Sequence, residues 1–319
     1  MTDARLISTG NVIVDVVMTV DRIPEPGGDV IATSSRMVAG GGLNTLVAAL
    51  RTGLPVVFAG QYGTGPMGDI VRAALAASGA EIVQTGLEDV DSGYCVALVD
   101  ATAERTFVTT VGAEGRLTRD DLDRVHVTGL DLVHVSGYSL AHPVNAAALS
   151  GWLPGLPAGT RVITDPSPLV GDLDPVLLGA VLARTDVLTA NAREATIMTG
   201  VADLAAAAAA LVPRIRAGGF AVVRDGASGC LLAGAPIGPE PVRVPGFPVH
   251  AVDTNGAGDA HAGVLASALA AGSPPIAAVR RANAAAAVAV TRSGPATAPT
   301  TAELDAFLRD ADHLKPASG

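Results

Sequence analysis

From about residue 120 onward, short β-branched runs alternate with Ala- and Leu-rich segments, and this alternation limits the possible folds more than any other feature of the chain. Leu132–Val135, Val162–Thr164, Val187–Thr189 and Ala221–Val223 read as strands. Pro143–Leu149, Glu194–Met198, Asp203–Ala217, Gly258–Ala271 and Pro275–Val290 read as helices between or after them. Strand–helix–strand succession predicts a mostly parallel central sheet with helices on both faces, a three-layer α/β/α architecture. The earlier part adds strands at Leu6–Ser8, Val12–Val20 and Val56–Ala59 and helices at Asn44–Arg51 and Asp69–Ala77. Two stretches break the rhythm. Residues 12–38 and 93–111 are strand-rich with no helix between their paired strands, and the second is a hairpin, Tyr94–Val99 then Thr106–Val111, turning around Ala101–Glu104. They predict a small β-sheet lid inserted discontinuously into one domain spanning 1–319, with no linker and a frayed HLKPASG end.

Composition excludes several classes of function. The net charge of −10 is diffuse, which argues against a nucleic-acid partner. Cys95 and Cys230 form no CxxC pair and the six histidines form no HExxH, so neither a disulfide framework nor a zinc site is expected. The N-terminus MTDARLISTG lacks a signal pattern, and no window of about 18 residues is uninterruptedly apolar. No membrane partner and a cytoplasmic location are therefore expected. The chain has a single lysine, Lys315, so a Walker A loop is impossible, and any phosphate must be neutralised by backbone amides and arginine.

Such a site is offered by Val252-Asp253-Thr254-Asn255-Gly256-Ala257-Gly258-Asp259, which runs into the helical segment AHAGVLASALAAG. Glycines before a helix leave its first N–H groups unblocked, and those donors with the helix dipole attract phosphate. Asp259 in the first turn is placed to take a proton from an attacking hydroxyl. On residues alone, a Gly-rich turn with Asp capping the helix is an equal reading. Ala39-Gly40-Gly41-Gly42-Leu43-Asn44 likewise reads as a turn that admits a ligand to the backbone, or as a helix cap by Asn44. Asp15, inside an apolar run, needs hydrogen-bond partners if buried.

AVDTNGAGDAHAG resembles the C-terminal signature DTxGAGD of the ribokinase-like (PfkB) carbohydrate kinases, with every fixed position present. The resemblance extends in order from about residue 6 to 308. It implies a ribokinase-like fold and ATP-dependent phosphorylation of a primary hydroxyl on a small sugar or sugar derivative. It makes Asp259 the catalytic base and Gly256, Ala257 and Gly258 the anion hole. Asp15, Gly41, Gly42 and Asn44 become acceptor contacts, the last three set against the family's N-terminal Gly-Gly and Asn signature. Asn191 and Glu194 match NxxE, which orders Mg²⁺ through water. Arg224, Gly226 and Gly229 fall where TLGxxG receives nucleotide phosphates, with Arg224 replacing the usual threonine. Asn283 aligns with the adenine-side helix. The same alignment implies a potassium-type cation at Asp253, Asn255, Ala289, Gly294 and Ala298, and a homodimer formed through the lid.

Departures from the family bear on the acceptor. Ser136 stands where ribokinases often place a glutamate, which argues against ribose itself. Arg105, in the hairpin, is either a solvated side chain or a contact for a carboxylate or phosphate on the acceptor. Tyr138 is either a packing residue or a face on which a sugar or base stacks. A nucleoside kinase of the same fold is the alternative. Gly63-Thr64-Gly65-Pro66-Met67-Gly68 satisfies GxGxxG, yet Glu81 lies at the wrong end of the next strand for a dinucleotide ribose, so an NAD-dependent oxidoreductase is not the expected class.

Overall fold

The computed structural model describes residues 3–102 and 104–313; residues 1–2, Ala103 and 314–319 lie outside them, and with them all of the C-terminal segment expected to fray except His313, which ends a helix. The strands are β1 (Leu6–Ser8), β2 (Val12–Thr19), β3 (Ser34–Gly41), β4 (Val56–Phe58), β5 (Glu81–Ile82), β6 (Tyr94–Val99), β7 (Arg105–Thr110), β8 (Leu132–Ser136), β9 (Arg161–Asp165), β10 (Val187–Asn191), β11 (Phe220–Arg224), β12 (Cys230–Gly234) and β13 (Gly238–Val244). The helices are α1 (Leu43–Arg51), α2 (Pro66–Ser78), α3 (Arg119–Asp123), α4 (Gly137–Leu140), α5 (Pro143–Trp152), α6 (Pro175–Leu182), α7 (Ala192–Thr199), α8 (Leu204–Leu211), α9 (Ala257–Ala270), α10 (Pro275–Val290) and α11 (Thr301–His313).

Nine strands form the main sheet in the order β13-β12-β11-β10-β9-β8-β1-β4-β5. The seven from β11 to β5 are parallel, and β12 and β13 close one edge antiparallel. Strand residues alternate between two cores, as pleating requires. Ile7, Val133, Val162 and Leu188 pack with Leu149 and Trp152 of α5, Leu182 of α6 and Leu211 of α8. Leu6, Phe58, Ile163 and Val222 face the other way, onto Leu46 of α1, Leu75 of α2, Leu265 of α9 and Val279 of α10. Strand order reverses at β1, between β4 and β8, which places the ligand crevice beyond the C-terminal ends of these two strands.

β2 continues from β1 into a second sheet of order β3-β2-β6-β7. β3 runs to Gly41, not to 38 as expected, so Gly40 and Gly41 are ladder residues and the turn into α1 is confined to Gly42. The helix expected over Asp203–Ala217 ends at Leu211, where Pro213 cannot extend it and a 3₁₀ turn, Val212–Arg214, takes over. The β12–β13 hairpin, α6 and α11 were not anticipated; β12 lacks polar alternation because both its faces are covered.

Candidate active site

The parallel strands β1, β8, β9, β10 and β11 end in Ser8, Ser136, Asp165, Asn191 and Arg224, a polar rim at the crevice. Above it, α9 begins at Gly256, which holds φ +74, a left-handed conformation that glycine adopts without strain. Gly256 and Gly258 have no N–H partner among the described residues, whereas the Ala257 N–H makes a 3.3 Å turn bond to the Thr254 carbonyl. Two of the three amides expected to form the anion hole are therefore unengaged.

Asp259, in the first turn of α9, is half-buried. Its carboxylate accepts the Asn44 amide at 3.2 Å and the Thr45 hydroxyl at 3.0 Å, both from α1. Burial pushes its pKa up to about 6. The two hydrogen bonds oppose that rise and the negative charge of Asp165 adds to it. Thr45, absent from the sequence reading, directly follows the motif asparagine and is buried at the helix interface. Asn44 is also buried, and its oxygen accepts the Ala296 N–H at 2.8 Å. One of its amide hydrogens remains for a ligand, so its main connection is to the base rather than to open space.

Asp15, on the same face of the lid sheet as Arg105, makes no hydrogen bond among the described residues. Burial raises its pKa, with Arg105 and Arg36 opposing. A Cβ on Gly40 would lie 2.1 Å from its Oδ2, so residue 40 must be glycine for this carboxylate to sit where it does. Gly41, at φ +59, and Gly42 press on the Asn11 carbonyl, which accepts the Gly42 N–H at 2.7 Å. Burial, then the charges of Asp259, Asp165 and Glu194, pushes the Tyr138 phenol up to about 12.

Arg224 donates to Asp165 at 2.8 Å and to the Thr189 hydroxyl at 3.3 Å, and lies 3.6 Å from Glu194. Its guanidinium is also 3.5 Å from where a Gly258 Cβ would stand, directly beside the unengaged amides. Asp165 and Thr189 were not singled out from sequence; each ends or nearly ends a parallel strand, which is the only signal available for them. Glu194 and Asn191 form a reciprocal capping box at the start of α7. Burial, then the Asp165 charge, raises the Glu194 pKa. Gly226 and Gly229, both at positive φ, shape the turn after β11.

One expectation needs correction. Asn283 is 7% exposed, and its amide is committed to the Val244 and Pro245 carbonyls and the Cys230 thiol inside the core, so it presents nothing to an adenine. Arg105 is partly exposed and is ion-paired with the Asp253 carboxylate at 2.7 Å. The Gly63–Gly68 turn is filled by the chain itself: the Asp91 carboxylate accepts the Met67 and Gly68 N–H groups at 3.0 and 2.7 Å, leaving no room for a dinucleotide phosphate.

A carboxylate of raised pKa beside unengaged helix-start amides and a buried arginine, at the C-terminal ends of the parallel strands β9 to β11, is suited to phosphoryl transfer. Residues 3–302 match the model of the pfkB family of carbohydrate kinases, and the chain belongs to that family. It is 33% identical to the ATP-dependent ribose-1-phosphate kinase of Halopiger xanaduensis, over 96% of this chain and 98% of that one. It is 32% identical to the sugar kinase YegV of Escherichia coli, over 95% and 94%. The solved structure of Arabidopsis thaliana ribokinase complexed with ribose and ATP superposes with a TM-score of 0.78 at 22% identity, covering 97% of this chain and 99% of that one.

Proposed function

We propose that this kinase transfers the γ-phosphoryl group of ATP to a primary hydroxyl of a small sugar or sugar derivative, with Asp259 as the general base. The supporting observation is that one carboxylate joins the two half-sites. Asp259 stands in the turn with the unengaged amides and is bonded to Asn44 and Thr45, which follow the glycines beside Asp15.

Asp15 and the remaining Asn44 N–H orient the acceptor hydroxyls. Asp259 takes the proton of the attacking hydroxyl as the new O–P bond forms. The bond from the γ-phosphorus to the bridging oxygen breaks, and its electron pair leaves with ADP. The amides of Gly256 and Gly258, with the fixed charge of Arg224, stabilise the charge on the transferred group. Glu194, 3.6 Å from the Arg224 guanidinium, would meet magnesium through water and not directly, as the NxxE resemblance implies. When bound there, magnesium supplies charge neutralisation for the ATP phosphates. The lid covers the acceptor and excludes water.

On the lid face opposite Asp15, register aligns Met37, Val16, Val96 and Val108 across all four strands, and Met37 and Val108 are exposed. This apolar rung supports a homodimer joined through the lid, checked by sedimentation at micromolar concentration; a monomer there would refute it. No single helix among the described residues is long and apolar enough to cross a membrane. Dependence on ATP favours the cytoplasm as the working compartment.

The test is ADP release with pentoses, ketohexoses, sugar acids, sugar phosphates and nucleosides as acceptors. Asp259→Asn should lower kcat by about 10²–10⁴-fold while the acceptor still binds. Turnover of that variant at the wild-type rate removes Asp259 from the mechanism, and selective turnover of nucleosides replaces the sugar reading.

A further inference from the structure

The monovalent cation implied by the family resemblance does not fit the donors present in this chain. Ala289, one of its expected ligands, has a carbonyl that already accepts the Arg292 N–H and the Thr297 hydroxyl, both at 3.1 Å. The Ala298 carbonyl accepts the Arg51 guanidinium at 2.7 Å, and the same nitrogen reaches the Ala296 carbonyl at 2.7 Å. The Ala298 side chain adds no oxygen. The Asp253 carboxylate accepts the Asn255 and Gly294 N–H groups at 2.9 and 3.3 Å and is ion-paired with Arg105 at 2.7 Å. Its side chain is 6% exposed and that of Arg105 25%, so solvent screens this pair only partly.

We propose that the guanidinium groups of Arg51 and Arg105 hold the turn at 253–259 and the loop at 291–300 in place of a monovalent ion, so that turnover does not require potassium. The inference rests on the kinase reading above. An inserted ion needs several oxygen lone pairs free of other donors and no like charge beside them. Here the Asp253, Ala289 and Ala298 oxygens are engaged, the first and last of them by guanidinium groups. The protein performs the same mechanical task with its own groups. Gly294 is tied to Asp253 and Ala296 to Asn44, while Arg51, from the last turn of α1, clasps the carbonyls on either side of Thr297. The loop is thereby fastened to the helix that carries Asn44 and Thr45, the two residues bonded to Asp259. Arg51 and Arg105 are positioning residues, because they act on the base through that loop and turn.

The experiment compares ADP release by the full chain in potassium chloride and in choline chloride at equal ionic strength, about 0.15 M, with saturating ATP, magnesium and the best acceptor of the panel. Wild-type rates should agree within about twofold. Arg51→Ala, whose residue lies at the surface, should turn over more slowly, with potassium but not choline restoring about fivefold or more. Arg105→Ala should behave alike, and melting temperatures confirm that each variant is folded. Wild-type turnover stimulated about tenfold or more by potassium overturns the inference. So does wild-type indifference to potassium combined with unimpaired turnover of folded Arg51→Ala and Arg105→Ala. Absence of turnover with any acceptor in either salt refutes the kinase reading itself.

Discussion

Thr45→Val should move the acid limb of the kcat–pH profile without lowering its plateau. Valine keeps the shape of a buried side chain and removes only the hydroxyl that donates to Asp259 at 3.0 Å. That bond favours the charged form of the carboxylate, so its loss raises a pKa already at about 6. A hydrogen bond to a charged group contributes about 1.5–3 kcal/mol, equivalent to roughly one to two pKa units. The Asn44 bond persists and water can partly replace the hydroxyl, so the lower end applies and the limb should move up by about one unit. Activity requires the deprotonated base, so turnover rises with pH through this pKa. The variant should therefore be about fivefold slower than wild type near pH 6 and equal to it above about pH 8.5. The assay is steady-state ADP release at saturating substrates from pH 5 to 9. A loss of rate that is the same at every pH would refute the argument, because it would mean that Thr45 positions the helix and does not tune the base.

Arg224→Ala should lower kcat by about 10²-fold or more, with Arg224→Lys recovering only part of it, since lysine cannot reproduce the fork held by Asp165, Thr189 and Glu194; an unchanged kcat at saturating ATP would exclude a role in transfer. Gly40→Ala should raise the acceptor KM by about tenfold or more while the ATP KM stays near wild type, because the added methyl displaces the Asp15 carboxylate. Equal acceptor KM values in Gly40→Ala and wild type would remove Asp15 from acceptor binding.

The sequence made the main sheet legible because its strands are short apolar runs separated by long helical segments, a pattern few other folds produce. The segment Tyr94–Val99 matches the observed strand at both ends, since a turn and a charged residue bracket it. The hairpin from Cys230 to Val244 was missed because its first strand is apolar on both faces and its second is rich in proline and charge. Asp259 and its glycines could be read because the chemistry depends on residue type at fixed spacing. Thr45, Asp165 and Arg36 could not, because their relevance arises when separate strands and helices meet. Asn283 was misassigned for the converse reason: an amide on a helix looks the same in sequence whether it faces a ligand or the Cys230 thiol.

The titration of the cleft follows from how its charges are made. Positive charge comes from the guanidinium groups of Arg224 and Arg105. The histidine nearest the anion turn, His261 on α9, is pushed down to about 3 by burial and by the neighbouring Arg224 charge, so it is neutral throughout. Burial drives Cys230 up to about 12, and burial with three carboxylates drives Tyr138 to the same range. The groups that move toward neutrality are carboxyls, Asp259, Glu194 and Asp15, and all three act as anions. The wild-type kcat profile should therefore rise through about pH 6 and then stay level, with no falling limb before about pH 9. A bell-shaped profile centred near neutrality would require a general acid in the cleft and would contradict a mechanism in which a single carboxylate moves the proton.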